Sequence, residues 1–257
     1  MVILSWGEDM PRRARILSES GIYHVMLRGI NQQQIFEEAE DYEKFIQIIA
    51  DCKTISGYKL FAYCLMGNHI HLLIKPEAET LEQIFKRIGG RFVYWYNIKY
   101  CRKGHLFQDR FKSEPVDDER YFWTVLRYIH QNPLKAQLCT KIENYPYSSY
   151  SEYMTESNLI DTDHVFSMMT MEEFVGYHHE DCSANCMDIE EKPVIRVTDE
   201  QAKIIIEKVS KCKTVSDFQA LDKLSRDKYL IKFRRKGLSL RQISRLTGVS
   251  LSIVRKA

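Results

Sequence analysis

Long apolar runs are missing from this chain. Nowhere do its 257 residues reach the roughly 18 consecutive apolar residues that a membrane-spanning helix needs, so no membrane partner is expected. The first residues, Met1 to Asp9, lack the apolar core of a secretory signal. Seven cysteines, an odd number without such a signal, fit free thiols in a reducing cytoplasm better than a disulfide framework. A closed zinc site is missing as well. His178-His179-Glu180-Asp181-Cys182 with Cys186 supplies ligand types but no recognised ligand spacing, which leaves a linker or exposed loop as the reading.

The last scarcity is local. The net charge is only +2, yet Phe85 to Lys112 holds eight Lys/Arg and one acid, and Lys223 to Ala257 holds eleven and one acid. Between them, Ser151 to Glu200 carries thirteen Asp/Glu against Lys192 and Arg196. Two basic modules separated by an acidic stretch point to two nucleic-acid surfaces.

Chemistry concentrates in Met66-Gly67-Asn68-His69-Ile70-His71-Leu72-Leu73-Ile74, an apolar strand stopped by Pro76. Alternation along a strand turns His69 and His71 to one face, which makes half of a divalent-metal site. Alone, the stretch fits equally well one exposed and one hydrogen-bonded histidine on an edge strand. Further on, Val125, Leu126 and Ile129 follow helical spacing, and Pro133 predicts a helix end near Asn132. Tyr128 and Asn132, four apart, share a face with Gln131 beside them. Read by itself, Tyr128 is a half-buried helix tyrosine.

The elements run in an order that defines a fold class. Strands are predicted at Ile22 to Leu27, Tyr58 to Leu65, the histidine stretch and Arg110 to Val116. Helices are predicted at Ala39 to Thr54, Thr80 to Tyr100 (capped by Thr80) and Arg120 to Asn132. This βαββαβ order with a last helix is the ferredoxin-like α+β arrangement, an antiparallel sheet with helices on one face and the other free for a substrate. From Phe85 to Phe111 aromatics interleave with basic residues, as in single-strand binding, although most of these rings belong to a core. Arg91, Arg110 and Lys112 are the candidate phosphate contacts. Arg12, Arg13 and Arg15 form either a basic arm or a disordered terminus.

The histidine strand followed about 57 residues later by Tyr128-Ile129-His130-Gln131-Asn132-Pro133 resembles the single-tyrosine HUH endonucleases. Within them it is most similar to REP-associated tyrosine transposases and insertion-sequence-200-type transposases. Further anchors are Gly21-Ile22-Tyr23-His24-Val25, Arg28-Gly29-Ile30-Asn31, Ile35-Phe36, Asp41 to Phe45, Gly104 to Phe111, and Arg127 to Ala136. Gly67 departs from the proline that many relatives carry there. The resemblance covers roughly residues 10 to 150 and implies a metal-dependent enzyme acting on single-stranded DNA beside a hairpin. Tyr128 is the nucleophile it implies, yielding a 5′-phosphotyrosine. His69, His71 and Asn132, with Gln131 in reserve, are the implied ligands of Mg or Mn, and Arg127 an implied DNA contact.

The chain end carries a second signature. Ser239 with Gln242 forms a capping box, Gly248 supplies a turn and Ser250 is predicted to cap a last helix. This reads as a small all-α helix-turn-helix domain on duplex DNA, with Arg241, Ser250 and Arg255 among its contacts. A helical hairpin used only for packing is the alternative. The expected organisation is therefore an endonuclease-like domain over 10–150, an acidic linker or extension over 151–200, and a helical DNA-binding domain over 201–257, as a monomer or homodimer. The competing reading is a non-catalytic DNA-binding regulator on a retained transposase scaffold.

Overall fold

The computed structural model describes residues 15–155, 159–180, 186–187, 199–212 and 214–257. Met10, Arg12 and Arg13 lie outside them. The described residues within 1–95 and 104–188 form one compact unit, and those within 96–103 and 189–257 form another.

In the first unit, strands β1 (Tyr23–Arg28), β2 (Lys59–Leu65), β3 (His69–Lys75) and β4 (Lys112–Pro115) build one sheet in the order β2-β3-β1-β4. Every printed pairing is antiparallel. Helices α1 (Ala39–Ser56) and α2 (Leu81–Lys99) are the crossovers of the βαββαβ order. The handedness of such crossovers puts both on the same face of the sheet. Their cores are Phe45, Ile48, Ile49 and Cys52 on α1, and Ile84, Phe85, Ile88 and Phe92 on α2, all buried.

Local chemistry sets the helix ends. Asp41 reaches back to the backbone N–H groups of Glu37 and Glu38, at 2.6 and 2.9 Å, and opens α1. Gly57, at φ +66°, closes it in the left-handed region open to glycine. Thr80 accepts the Gln83 N–H at 3.4 Å while Gln83 accepts that of Thr80 at 2.9 Å, the cap expected for α2.

Helix α3 (Glu119–Lys135) starts at Asp118, whose carboxylate accepts the Tyr121 N–H at 2.7 Å. It does not stop at Asn132 as Pro133 suggested. Proline removes one donor from the ladder, but so near the helix end the chain needs only one more turn, which Ala136 N–H closes on Asn132 O at 2.9 Å. Nor is the second sheet face left open. Helix α3 lies across β2 and β3, with Phe122 packed edge-on to Phe61 at 5.4 Å between ring centres.

The described part of 151–187 extends this unit and is no linker. Helices α4 (Asp163–Phe166) and α5 (Met171–His179) fold back, and Phe174 is fully buried among Tyr150, Tyr153 and Phe166. In the second unit, α6 (Asp199–Ser210), α7 (Val215–Gln219), α8 (Lys223–Arg235), α9 (Leu240–Thr247) and α10 (Leu251–Lys256) enclose Ala202, Ile206, Phe218, Leu230, Phe233, Ile243, Val249 and Val254. No helix among the described residues is long and apolar enough to cross a membrane.

Candidate active site

The histidines sit on an interior strand. β3 is hydrogen-bonded to β2 on one side and β1 on the other, which removes the edge-strand alternative, and both rings are buried, His69 at 3% and His71 at 0% exposure. The register pairs Met26 with His71 and His24 with Leu73, so His24, Met26, His69 and His71 share one sheet face. Helix α3 covers that face at Tyr128. The Tyr128 ring centre stands 5.8 Å from His71 and 6.0 Å from His24, edge-on to both, and the tyrosine itself is buried. The structure thus brings together the strand and helix motifs that lie about 57 residues apart in sequence.

Hydrogen bonds select which ring nitrogens face outward from the strand. His69 Nδ1 donates to Asn68 Oδ1 at 2.7 Å, which leaves Nε2 as the nitrogen with a lone pair. His71 Nδ1 lies 2.9 Å from His24 Nε2, and His71 Nε2 is a buried polar atom with no hydrogen-bond partner among the described residues. Burial holds His71 well below the usual imidazole range, reinforced by the neighbouring His69 and His24, and lowers His24 to about 3. Neutral rings, with the His71 Nε2 atom buried and without a hydrogen-bond partner among the described residues, are what a cation would find here. Among the described residues no group of three or more His, Cys, Asp or Glu could hold a metal. Asn132, the amide expected as the third donor, is buried on α3 one turn beyond Tyr128, and its side-chain N–H group donates to Tyr128 O at 3.4 Å. The Gln131 amide is held at the end of α5, its side-chain N–H group donating to the carbonyls of His178 and Glu180, both at 2.8 Å.

The segment through α5 is what sequence reasoning missed. His178 Nδ1 donates to Phe174 O at 2.8 Å, so its Nε2 accepts from His130 Nδ1 at 2.9 Å. His130 Nε2 then accepts from Ser149 Oγ at 2.8 Å, and that hydroxyl accepts the Tyr63 N–H at 2.9 Å. Each ring nitrogen is satisfied with both imidazoles neutral. Burial lowers His130 well below its ordinary range and His178 to about 4. The signal in the sequence was the His178-His179 pair, read there as part of a linker or exposed loop, whereas both residues end α5. His179 instead pairs with Glu143 at 3.1 Å on the surface.

Candidate DNA contacts divide in the same way. Arg91, Arg110 and Lys112 are exposed, and Tyr94 beside Arg91 is 71% exposed while Phe85, Phe92, Tyr96, Tyr100 and Phe111 are buried. Arg127 does not reach solvent as expected. It donates to Tyr177 O at 3.1 Å, pairs with Glu180 at 3.0 Å and stacks on the Tyr177 ring at 4.0 Å, because α5 offers it an acceptor and an aromatic face at once. Arg15 is docked too, stacked over Phe111 at 3.8 Å and paired with Glu82.

In the second unit, the Ser239–Gln242 capping box forms at 3.1 and 3.2 Å, and Gly248 turns at φ +68°. A side chain at Gly248 would meet Val215 at 2.6 Å, so the tight packing of this turn also calls for glycine. Ser250 stands at the start of α10 but does not cap it, its hydroxyl lying 3.1 Å from that of Ser252. Arg241 and Ser250 are exposed, whereas Arg255 is half-buried over the Tyr100 ring at 3.9 Å.

The first unit is thus a ferredoxin-like α+β domain with two buried strand histidines beneath a helix tyrosine. The family described as Transposase IS200 like matches residues 18–132. A Haemophilus influenzae protein described as a candidate REP-associated tyrosine transposase is 29% identical over 105 residues, 36% of this chain. The chain spans 59% of that relative's length. Among solved structures, a REP-associated tyrosine transposase bound to a REP hairpin is 16% identical, with a TM-score of 0.49 over 59% of this chain and 94% of that one. A candidate transposase from Deinococcus radiodurans is 18% identical, with a TM-score of 0.34 over 47% of this chain and 95% of that one.

Proposed function

We propose that this chain is a metal-dependent single-stranded DNA endonuclease and strand transferase that works through a covalent 5′-phosphotyrosine on Tyr128, with a hairpin-flanked strand as substrate. The observation that carries the reading is the tyrosine ring 5.8 Å from His71, whose Nε2 is buried with no hydrogen-bond partner among the described residues. The described REP-hairpin complex of a relative supports the choice of substrate.

His69, His71 and Asn132 would hold Mg or Mn, which suits imidazole and amide donors. When bound, the metal acts as a Lewis acid on the scissile phosphate. The protein's own part is the nucleophile. The Tyr128 oxygen forms a bond to phosphorus as the bond to the departing 3′-oxygen breaks, and the phenol proton passes to solvent. Because the phosphotyrosine keeps the ester, a 3′-hydroxyl from another strand rejoins it without an external energy source. Tyr128 is only 2% exposed, so admission of the strand requires α3 or the α5 segment over it to shift. The second unit would hold duplex DNA through α9 and α10, with Arg241 exposed for a phosphate.

Wild-type protein incubated with Mn and a hairpin-flanked single strand is expected to form an adduct that survives denaturant and maps by mass spectrometry to Tyr128. Tyr128→Phe loses only the hydroxyl and is expected to bind the strand and form none. An adduct persisting in Tyr128→Phe would reassign the nucleophile. No adduct in either protein, with duplex binding intact, would leave the non-catalytic regulator.

A further inference from the structure

We infer that His24 is a positioning residue: its Nε2 accepts the Nδ1 proton of His71 and thereby holds the His71 Nε2 lone pair toward the metal. The inference rests on the metal-dependent reading above. His24 lies on β1, one strand over from the histidine pair and on the same face, fully buried. It touches both halves of the site, stacked on His71 with ring centres 5.1 Å apart and edge-on to Tyr128 at 6.0 Å. None of the ligand assignments uses it.

The argument is one of proton bookkeeping. The His24 Nε2 and His71 Nδ1 atoms are 2.9 Å apart, so one carries the hydrogen and the other accepts it. If His24 donated, neutral His71 would carry its own proton on Nε2, and that nitrogen could not ligate. If His71 donates, its Nε2 is free as a ligand and neutral His24 carries its proton on Nδ1. Hydrogen bonding within the protein does not choose between these, since both His24 Nδ1 and His71 Nε2 lack a partner among the described residues. A ligand role for His71 does choose. His69 has its own orienting acceptor in Asn68, so each imidazole of the pair is set by a different neighbour. Partners of this kind typically change metal affinity by about 10–100-fold when removed.

The test compares His24→Leu, which fills the space without an acceptor, with His24→Gln, whose side-chain oxygen can accept near the place of Nε2. Mn²⁺ affinity of the full chain is read by electron paramagnetic resonance of the free ion, with His71→Ala as the reference loss. His24→Leu is expected to bind Mn²⁺ about 10–100-fold more weakly and His24→Gln within a few-fold of wild type. Were His24 only a core residue, both variants would keep the wild-type affinity while His71→Ala lost it, and that result would overturn the inference alone. Equal binding by wild type and His71→Ala would overturn the metal reading and this one with it. Should His24→Leu fail to fold, long-range proton–nitrogen NMR of the wild-type imidazoles in the metal-free protein decides. A proton on His71 Nδ1 and on His24 Nδ1 is expected, and a proton on His71 Nε2 would overturn the inference.

Discussion

Lowering the pH from 7.5 to 5.0 is expected to strip the first unit of several kilocalories of stability through buried histidines alone. His24 and His178 are lowered from the ordinary value to about 3 and about 4 by burial. In the unfolded chain they bind protons below about pH 6.5, while in the folded unit they stay neutral until much lower pH. The unfolded state therefore binds more protons throughout this window, and stability falls as the pH falls. At pH 5.0 each unfolded histidine has gained about 1.5 decades of protonation free energy that its folded counterpart has not, about 2 kcal/mol apiece and about 4 kcal/mol for the two. His71 and His130, lowered in the same direction, add to this. The physical cause is visible in the bonds: protonating His178 would set its new N–H against the His130 Nδ1 proton across 2.9 Å. Carboxylates held below their ordinary range, such as Asp117, lose stability only at lower pH, while Glu114, raised by burial, offsets part of the loss with the opposite sign. Thermal melts in chelator at the two pH values should differ by on the order of 10 °C for a unit of this size. A melting temperature flat between pH 7.5 and 5.0, or folded-state imidazoles titrating near 6.5 by NMR, would refute the reasoning.

Three further outcomes are expected. His69→Ala and His71→Ala should each slow adduct formation by about 100-fold or more in Mn or Mg, since a bound metal contributes several kcal/mol of transition-state stabilisation; full cleavage by either variant in chelator would remove the metal from the mechanism. Arg241→Ala should weaken duplex binding about equally across sequences and reduce the salt-dependence slope by about one, measured by fluorescence anisotropy from low to moderate salt; an unchanged slope would mean that this exposed arginine meets no phosphate. Phe233→Ala should cost the second unit about 3–5 kcal/mol because the ring is fully buried in its core, which denaturant unfolding of the full chain would resolve; a loss under about 1 kcal/mol would mean that this core is not packed as described.

Much of the fold was legible because its signals are local. Alternation and helical spacing are set by neighbours within a few residues, and the Thr80–Gln83 and Ser239–Gln242 caps form within four. The order βαββαβ then left the ferredoxin-like sheet as the arrangement to expect, and the pairing of His69 and His71 on one face followed from strand geometry. The limits were equally physical. Pro133 was read as a stop because the pattern cannot weigh one missing donor against a final turn that closes on Asn132. Arg127 was expected at DNA from the family resemblance, which carries no sign of the acceptor and the ring that α5 brings to it.

By itself the sequence determined most of the elements and their order, carried by short-range periodicity, while the roles expected of Tyr128, His69 and His71 came from the family resemblance that their motifs carry. Only the tertiary structure decided that β3 is interior, that His24 reaches His71 from the neighbouring strand, and that α5 takes up Arg127, His130 and Gln131. The last two depend on hydrogen bonds and ring contacts between residues 47 to 53 positions apart. No local pattern encodes such meetings; they follow from which surfaces the folded chain must bury together.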